Sequence, residues 1–269
     1  MAMTEANDGE ERLPAHATLR RIVAQRAQRY TDIGPDLTPL GSARFRLEGS
    51  RLLIAYAQLP LDTMSEAIRR IVSYSSLRGM RAIWTVVPEI AGEEALPEAL
   101  LAHNFTLEER LVLMARQGEL HAQINPSVSI SRIETWSAMW AYEHGSRRSF
   151  YDDHSPEEGM VTARARERWR QQEMGWYRYY AALLDNQIVG GLYVSMWEDV
   201  PTLMGVYTLH TARRHGVATA SIAHAIQDLM ETGRDTYCLY VKEDNPAQRL
   251  YDSLGFHTLS LEETYTLGA

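Results

Sequence analysis

What the chain has little of narrows it first. One cysteine, Cys238, stands among 269 residues, so no disulfide can close within the chain. It sits in an apolar run and reads as a small buried hydrophobe, not a reactive thiol. No apolar stretch approaches the ~18 residues of a membrane span. The opening MAMTEANDGEER is acidic and lacks the basic-then-apolar order of a secretory leader. Positive charge is in deficit: 27 Lys and Arg against 35 Asp and Glu leave a net charge of −8, with no general attraction for nucleic acid or anionic membranes. G-x-S-x-G, a G-K-[ST] phosphate loop and C-x-x-C are all missing, and with them the common signals for serine-hydrolase, P-loop and dithiol chemistry. These absences lead us to expect a cytoplasmic globular protein with neither nucleic acid nor membrane as partner.

What is present is ordinary in amount and informative in order. Hydrophobic residues make up 45% and charged residues 23%, enough for a real core. At roughly 100–200 residues per domain, one large or two small domains fit. A first helix carries Leu19, Ile22, Val23, Ala27 and Tyr30 at helical spacing, with Arg20, Arg21, Arg26 and Arg29 as its solvated face. ARFRLEGSRLLIAYAQ alternates about Gly-Ser and predicts a hairpin. SEAIRRIVSYSSLRG is a helix closed by Gly79, followed by the strand AIWTVV, the short helix in LPEALLAHNF and the strand LEERLVLMA. HAQINPSVS is the linker. Beyond it come a helix from TWSAMWAYEHG, the polar loop SFYDDHSPEEG and the charged helix VTARARERWRQQEM. A hairpin through the turn DNQ, the strand TLMGVYTL, a helix, the strand TYCLYV, the helix NPAQRLYDSL and a last strand complete the chain.

The stretch TARRHGVATASIAHAI raises the functional question. Helix N-termini carry partner-free N–H groups and partial positive charge, so an anion satisfies both. Gly216 and Ala218 keep bulk away from those amides, and Arg213 and Arg214 can add charge-assisted bonds. Val217, Ile222, Ala225, Ile226 and Leu229 form the stripe that would hold the helix on a sheet. The pattern fits a pyrophosphate cradle; an ordinary helix start with surface arginines is the alternative.

Set after the strand TLMGVYT and before LYVKEDNPAQRLYDSLGF, the cradle resembles that of the GNAT superfamily of N-acetyltransferases, over Tyr177 to Thr258 and more faintly back to Ile133. The resemblance implies acetyl-CoA held where two parallel strands splay, here TLMGVYT and TYCLYV. Its arm would pair with the backbone of Val206, Tyr207 and Thr208, and its pyrophosphate with the amides from Arg213 through Arg214, His215, Gly216, Val217 and Ala218 to Thr219. Arg214 replaces a frequent glycine, which requires ordinary dihedrals there. Asn245 matches a residue that contacts the cofactor arm or caps the next helix. Tyr251 matches the tyrosine that assists the departing thiolate; a packed helix tyrosine is the alternative. The strand before the cradle lacks the carboxylate that many relatives use as base, leaving Tyr207, His210 or water.

The acceptor site is expected at SFYDDHSPEE, where Glu143, Asp152 and Asp153 could receive a cationic amine or form a solvated acidic face. Their spacing, with His144 and His154, matches no metal-ligand pattern, so no metal is expected. A faint repeat links GMRAIWTVV…LPEALLAHNF to GRDTYCLYV…NPAQRLYDSLGF and sets Leu100 opposite Tyr251. The expected fold is therefore α/β (α+β): two tandem GNAT-like modules with a mixed central sheet flanked by helices, a degenerate one at 15–120 and a complete one at 127–269. The expected function is acetyl transfer to a primary amine of a small molecule, by a monomer or homodimer. Acetylation of a protein N-terminus or lysine, a non-catalytic acyl-CoA sensor and an aminoacyl transferase acting on tRNA or cell-wall precursors are the rivals.

Overall fold

The computed structural model describes residues 15–31, 34–90, 92–150, 156–196 and 199–267. Helix α1 (Ala15–Ala27) leads into the hairpin β1 (Ser42–Glu48) and β2 (Arg51–Gln58), then α2 (Leu61–Leu77), β3 (Arg81–Val86), α3 (Leu96–Ala102) and β4 (Phe105–Gln117). The second half runs β5 (Val128–Arg132), α4 (Trp136–Phe150), α5 (Glu158–Glu173), β6 (Tyr177–Leu184), β7 (Gln187–Ser195), β8 (Thr202–Thr208), α6 (Val217–Met230), β9 (Thr236–Lys242), α7 (Ala247–Ser253) and β10 (His257–Leu267). The expected hairpins form: Asp185 and Asn186 both take positive φ, 51° and 61°, as a tight two-residue turn requires. Strand β5 falls where the sequence reads as linker, because five residues with one buried position give almost no periodicity. Helix α2 begins at Leu61, ahead of the expected Ser65.

All ten strands form one mixed sheet in the order β1-β2-β3-β10-β4-β9-β8-β7-β6-β5. The two halves repeat. In each, an antiparallel hairpin (β1/β2; β7/β8) precedes a helix (α2; α6) and a parallel strand (β3; β9), and a seven-residue helix (α3; α7) leads to a long last strand (β4; β10). Gly79 and Gly233 end the equivalent helices at φ 62° and 79°; Asn104 and Gly255 make the equivalent turns at φ 64° and 79°. Phe105 and Phe256 are both buried. The last strands are exchanged: β10 lies between β3 and β4, and β4 between β10 and β9. Segments 15–120 and 127–269 thus share their central strands.

Alternation along each strand builds separate cores on the two faces. Helix α6 packs Ile222, Ala225, Ile226 and Leu229 with Tyr180, Leu192, Leu203 and Leu239, and α7 adds Tyr251 and Leu254. On the opposite face α4 sets Met139 and Tyr142 against Tyr179, Ala181 and Tyr207. Helix α1 lies over the shared centre, its Leu19 and Ile22 against Leu113, Ala115 and Cys238. Arg26 departs from the expected solvated face: it reaches Glu262 at 3.5 Å and stacks 4.2 Å from the centre of the Tyr240 ring. Its neighbours Arg20 and Arg21 are exposed as expected.

Both hairpins carry a bulge at the same place. In β1/β2 the register slips so that Tyr56 and Ala57 stand opposite Ala43; in β7/β8 it slips so that Gly205 and Val206 stand opposite Leu192. Tyr56 and Gly205 both take positive φ, 54° and 58°. Ala57 is therefore the register equivalent of Val206. In the first half the buried carboxylate of Glu93 spans the strands beyond this bulge, accepting the Ala57 N–H at 2.9 Å and the Val87 N–H at 2.8 Å. Burial pushes its carboxyl up to about 7, against the two N–H bonds and with help from Glu262 and Glu94. Removing it leaves two buried donors unpaired, at about 1–3 kcal/mol each. Glu93→Ala should cost roughly 2–5 kcal/mol in urea unfolding, and a loss within noise would refute the bridge. A pKa raised in the folded state contributes stability at low pH that is lost as pH rises toward 7. Glu93→Gln should flatten that part of the pH–stability curve.

Candidate active site

Among the described residues, the second half has no such bridge. Strands β8 and β9 pair as parallel neighbours at Thr202↔Cys238 and Leu203↔Leu239 only, whereas β2 and β3 pair over four positions. Past Leu203, β8 keeps its ladder with β7 and β9 keeps its ladder with β4, through Lys242. A cleft therefore opens between β8 and β9 at the bulge. Val206, Tyr207 and Thr208 form its β8 side.

The start of α6 faces the same end of the sheet. Gly190 on β7 permits this: a Cβ there would lie 2.6 Å from Val217 Cγ1 and 2.7 Å from the Tyr207 carbonyl oxygen. Arg213, Arg214, His215 and Gly216 are exposed, and Ala218 and Thr219 are half-buried. Gly216 caps α6 at φ 74°, a left-handed conformation glycine adopts without penalty. The first helical bond back to the Gly216 carbonyl comes from Ala220, at 2.9 Å. Among the described residues, no acceptor meets the amides from Arg214 to Thr219. Consecutive free donors at a helix start make a concave anion site. Arg214 does not have ordinary dihedrals: its φ is 68°. Arginine holds a turn there that glycine would hold at about 1 kcal/mol less strain.

Helix α7 follows the same end of β9 and carries Tyr251. Its ring is buried against Phe256, 6.2 Å between centres, and burial raises its pKa, so the phenol stays protonated at neutral pH. Its hydroxyl has no hydrogen-bond partner among the described residues. Leu100, its counterpart by repeat, is fully buried. Asn245 is exposed and caps α7, its Oδ1 accepting the Ala247 N–H at 2.9 Å.

The opposite face of the β8 bulge holds a pocket of about 190 Å³ lined by α4, α5, Tyr193 and Gly205. A Cβ on Gly205 would lie 2.6 Å from Tyr193 Cε1, so glycine sustains both the bulge and the pocket. Glu143 lines it but is not open to a cation: its buried carboxylate takes the Arg168 Nε–H at 2.5 Å. Tyr207 is unsuited as a base, since burial raises its pKa and its hydroxyl donates to the Tyr142 carbonyl at 3.1 Å. Asp152, Asp153 and His154 lie outside the described residues. No group of three or more His, Cys, Asp or Glu that could hold a metal occurs among the described residues, and no helix among them is long and apolar enough to cross a membrane.

Comparison with known proteins names this arrangement. Residues 136–256 match the acetyltransferase (GNAT) family. The fold superposes on a GCN5-related N-acetyltransferase from Kribbella flavida with a TM-score of 0.67, at 17% identity, covering 95% of this chain and 94% of that one. It superposes on a tandem GNAT protein from the clavulanic acid biosynthesis pathway with a TM-score of 0.64, at 13% identity, covering 96% and 98%. The family match lies within the C-terminal half, and the solved structures show that the whole chain shares their fold. Among curated proteins, the [ribosomal protein bS18]-alanine N-acetyltransferase of Haemophilus influenzae is 31% identical over 81 residues, 30% of this chain. The chain spans 56% of that relative's length.

The tandem GNAT architecture expected from the repeat is thus the observed fold. The end of the sheet where β8 and β9 part carries Val206–Thr208 and the turn from Arg213 to Thr219, and α7 follows the same end of β9 with Tyr251 and, at its start, Asn245. Glu143 belongs to the other face. Sequence reasoning missed Gly190, Glu93, Arg164 and Arg168. The paired glycines of IVGGLYV were a usable signal for close backbone approach; nothing local marked Glu93 or the arginines. The exposed turn generates a prediction. Gly216→Val adds a branched side chain at a left-handed position over the free amides. Affinity for coenzyme A, by calorimetry on the folded variant, should fall at least tenfold; unchanged affinity would place the anion elsewhere.

Proposed function

We propose that the protein is an acetyl-CoA-dependent N-acetyltransferase that moves an acetyl group to a primary amine of a small molecule. One observation carries this: the amides from Arg214 to Thr219, which meet no acceptor among the described residues, stand at the end of the sheet where β8 and β9 part, and the helix after β9 carries a protonated tyrosine. The residues present fit the cofactor. An exposed donor turn flanked by Arg213 and Arg214 suits a pyrophosphate, and an open strand edge suits an extended amide-bearing arm. Bound there, acetyl-CoA supplies the activated acetyl group.

The chain's own contribution is positioning and proton handling. The Val206 N–H is the donor for the acyl oxygen. Its register equivalent, the Ala57 N–H, already holds a carboxylate oxygen of Glu93 at 2.9 Å, so this bulge geometry presents an amide to an oxygen. Tyr251, kept protonated by burial, donates toward the departing sulfur. Strand β8 carries no carboxylate, so the amine's proton passes to water. The N-terminal half walls the cleft without holding a second cofactor, because Glu93 fills the equivalent gap. The partner is the amine alone, with no nucleic acid or membrane, and the protein acts as a monomer or homodimer. Acetylation of a protein N-terminus is the second reading, favoured by the curated relative that acts on a ribosomal protein. A pocket enclosed by α4 and α5 favours the small amine.

Tyr251→Phe should lower kcat at least about tenfold with little change in acetyl-CoA affinity. Thiol release across a panel of small amines and N-terminal peptides measures this, and a wild-type rate would remove Tyr251 from the chemistry. Without a protein base, the pH profile of kcat/KM should move with the pKa of the amine used. A profile fixed across amines of different pKa would reveal a base on the protein.

A further inference from the structure

Among the described residues, arginine outnumbers carboxylate around the pocket beneath the Gly205 bulge, in a protein whose net charge is −8. Among those residues its charged lining is Arg164 and Arg168, with Arg147, which has a partner of its own, and the carboxylate of Glu143. That carboxylate is already neutralised by Arg168, so it offers nothing further to an ammonium group. Arg168 is also fixed in place: its guanidinium lies 5.9, 5.6 and 5.1 Å from the ring centres of Tyr142, Tyr179 and Tyr193. Such a cluster holds a cation by the ring quadrupoles and by packing. Arg164, one helical turn before Arg168 on α5, is exposed and has no carboxylate partner among the described residues. Residues four apart on a helix share a face, so Arg164 and Arg168 approach the pocket together. Ser146 adds a hydroxyl at the same wall.

We infer that the acceptor is zwitterionic: a primary amine that also carries an oxyanion, carboxylate or phosphate, gripped by Arg164 while the amine is aimed past Gly205 into the β8 cleft. This rests on the acetyltransferase reading above and adds the substrate class to it. Guanidinium groups recognise both oxyanions through paired N–H donors, so the two share one chemistry. Pocket position links it to transfer, since Gly205 belongs to the pocket lining and to the bulge that exposes Val206.

The test separates binding from turnover. Protein saturated with coenzyme A is titrated by calorimetry with aminoalkanoates of graded chain length, with an aminoalkyl phosphate, and with alkylamines and diamines of matching length. At least one of the oxyanion-bearing amines should bind tenfold or more tighter than its alkylamine and diamine counterparts. The better of the aminoalkanoate and phosphate arms identifies the oxyanion. Arg164→Gln should shrink that preference at least tenfold, and Arg164→Glu should move it toward the diamine. Arg164 is exposed, so both variants should fold, which thermal unfolding checks. Equal or tighter binding of the diamine to the wild type, or a preference untouched in both variants, overturns the inference. Oxyanion-bearing amines that bind with this preference but receive no acetyl group would overturn the proposed function and leave the binding site standing.

Discussion

A parallel strand pair that parts after two residue pairs leaves backbone donors and acceptors without their ladder partners. The cost is recovered only if something else meets those groups. This chain shows both solutions side by side. In the first half a carboxylate reaches in from the loop after β3 and bonds an amide of β2 and the amide just past the end of β3. In the second half the corresponding gap stays open to a ligand. The same bulge and the same divergence thus serve as a closed joint in one place and as a candidate binding cleft in the other. The difference lies in one acidic residue and in what stands before the helix. Gly216 and five neighbouring amides make a donor turn at α6, whereas α2 begins at Leu61 directly after Pro60, with no glycine turn.

The exchange of β4 and β10 ties the two solutions into one body. Each last strand completes the other half's sheet, with β10 paired to β3 and β4 paired to β9. Neither half can release its strand without breaking the other's ladder. Helix α1 locks the junction from one face, where Arg26 joins Glu262 and Tyr240. The strands that bound the cleft are therefore anchored on their far sides by long antiparallel partners. An open cleft needs that rigidity, because a flexible one would close on itself and restore the missing ladder.

Charge is arranged locally, against the sign of the whole. The chain is acidic overall, yet the α6 turn and the pocket under Gly205 both present arginine. Around Arg168, tyrosine rings and one buried carboxylate form a packed unit with no room for the carboxylate to act alone. Net charge governs long-range attraction, while a site is set by the few groups within several ångströms.

The chain of residues by itself determined the elements, their repeat and the anion-binding turn. These depend on local chemistry: alternation for the β1/β2 and β6/β7 hairpins, Gly79 and Gly233 as helix stops, and Gly216 and Ala218 as the small residues that bare the amides. It also contained Asn245 as a cap, read beside a cofactor role, because Asn before Pro246 is a local signal. Only the tertiary structure decided the rest. Strand exchange joins residues almost 180 positions apart, as in Glu263↔Val86, and no local pattern encodes that pairing. The partner of Glu143 is set by α4 packing on α5, the bridge of Glu93 by a loop folding back between strands, and the buried state of Tyr207 by α4 lying over β8. Local periodicity reports which face a side chain takes; what waits on that face is a property of the assembled sheet.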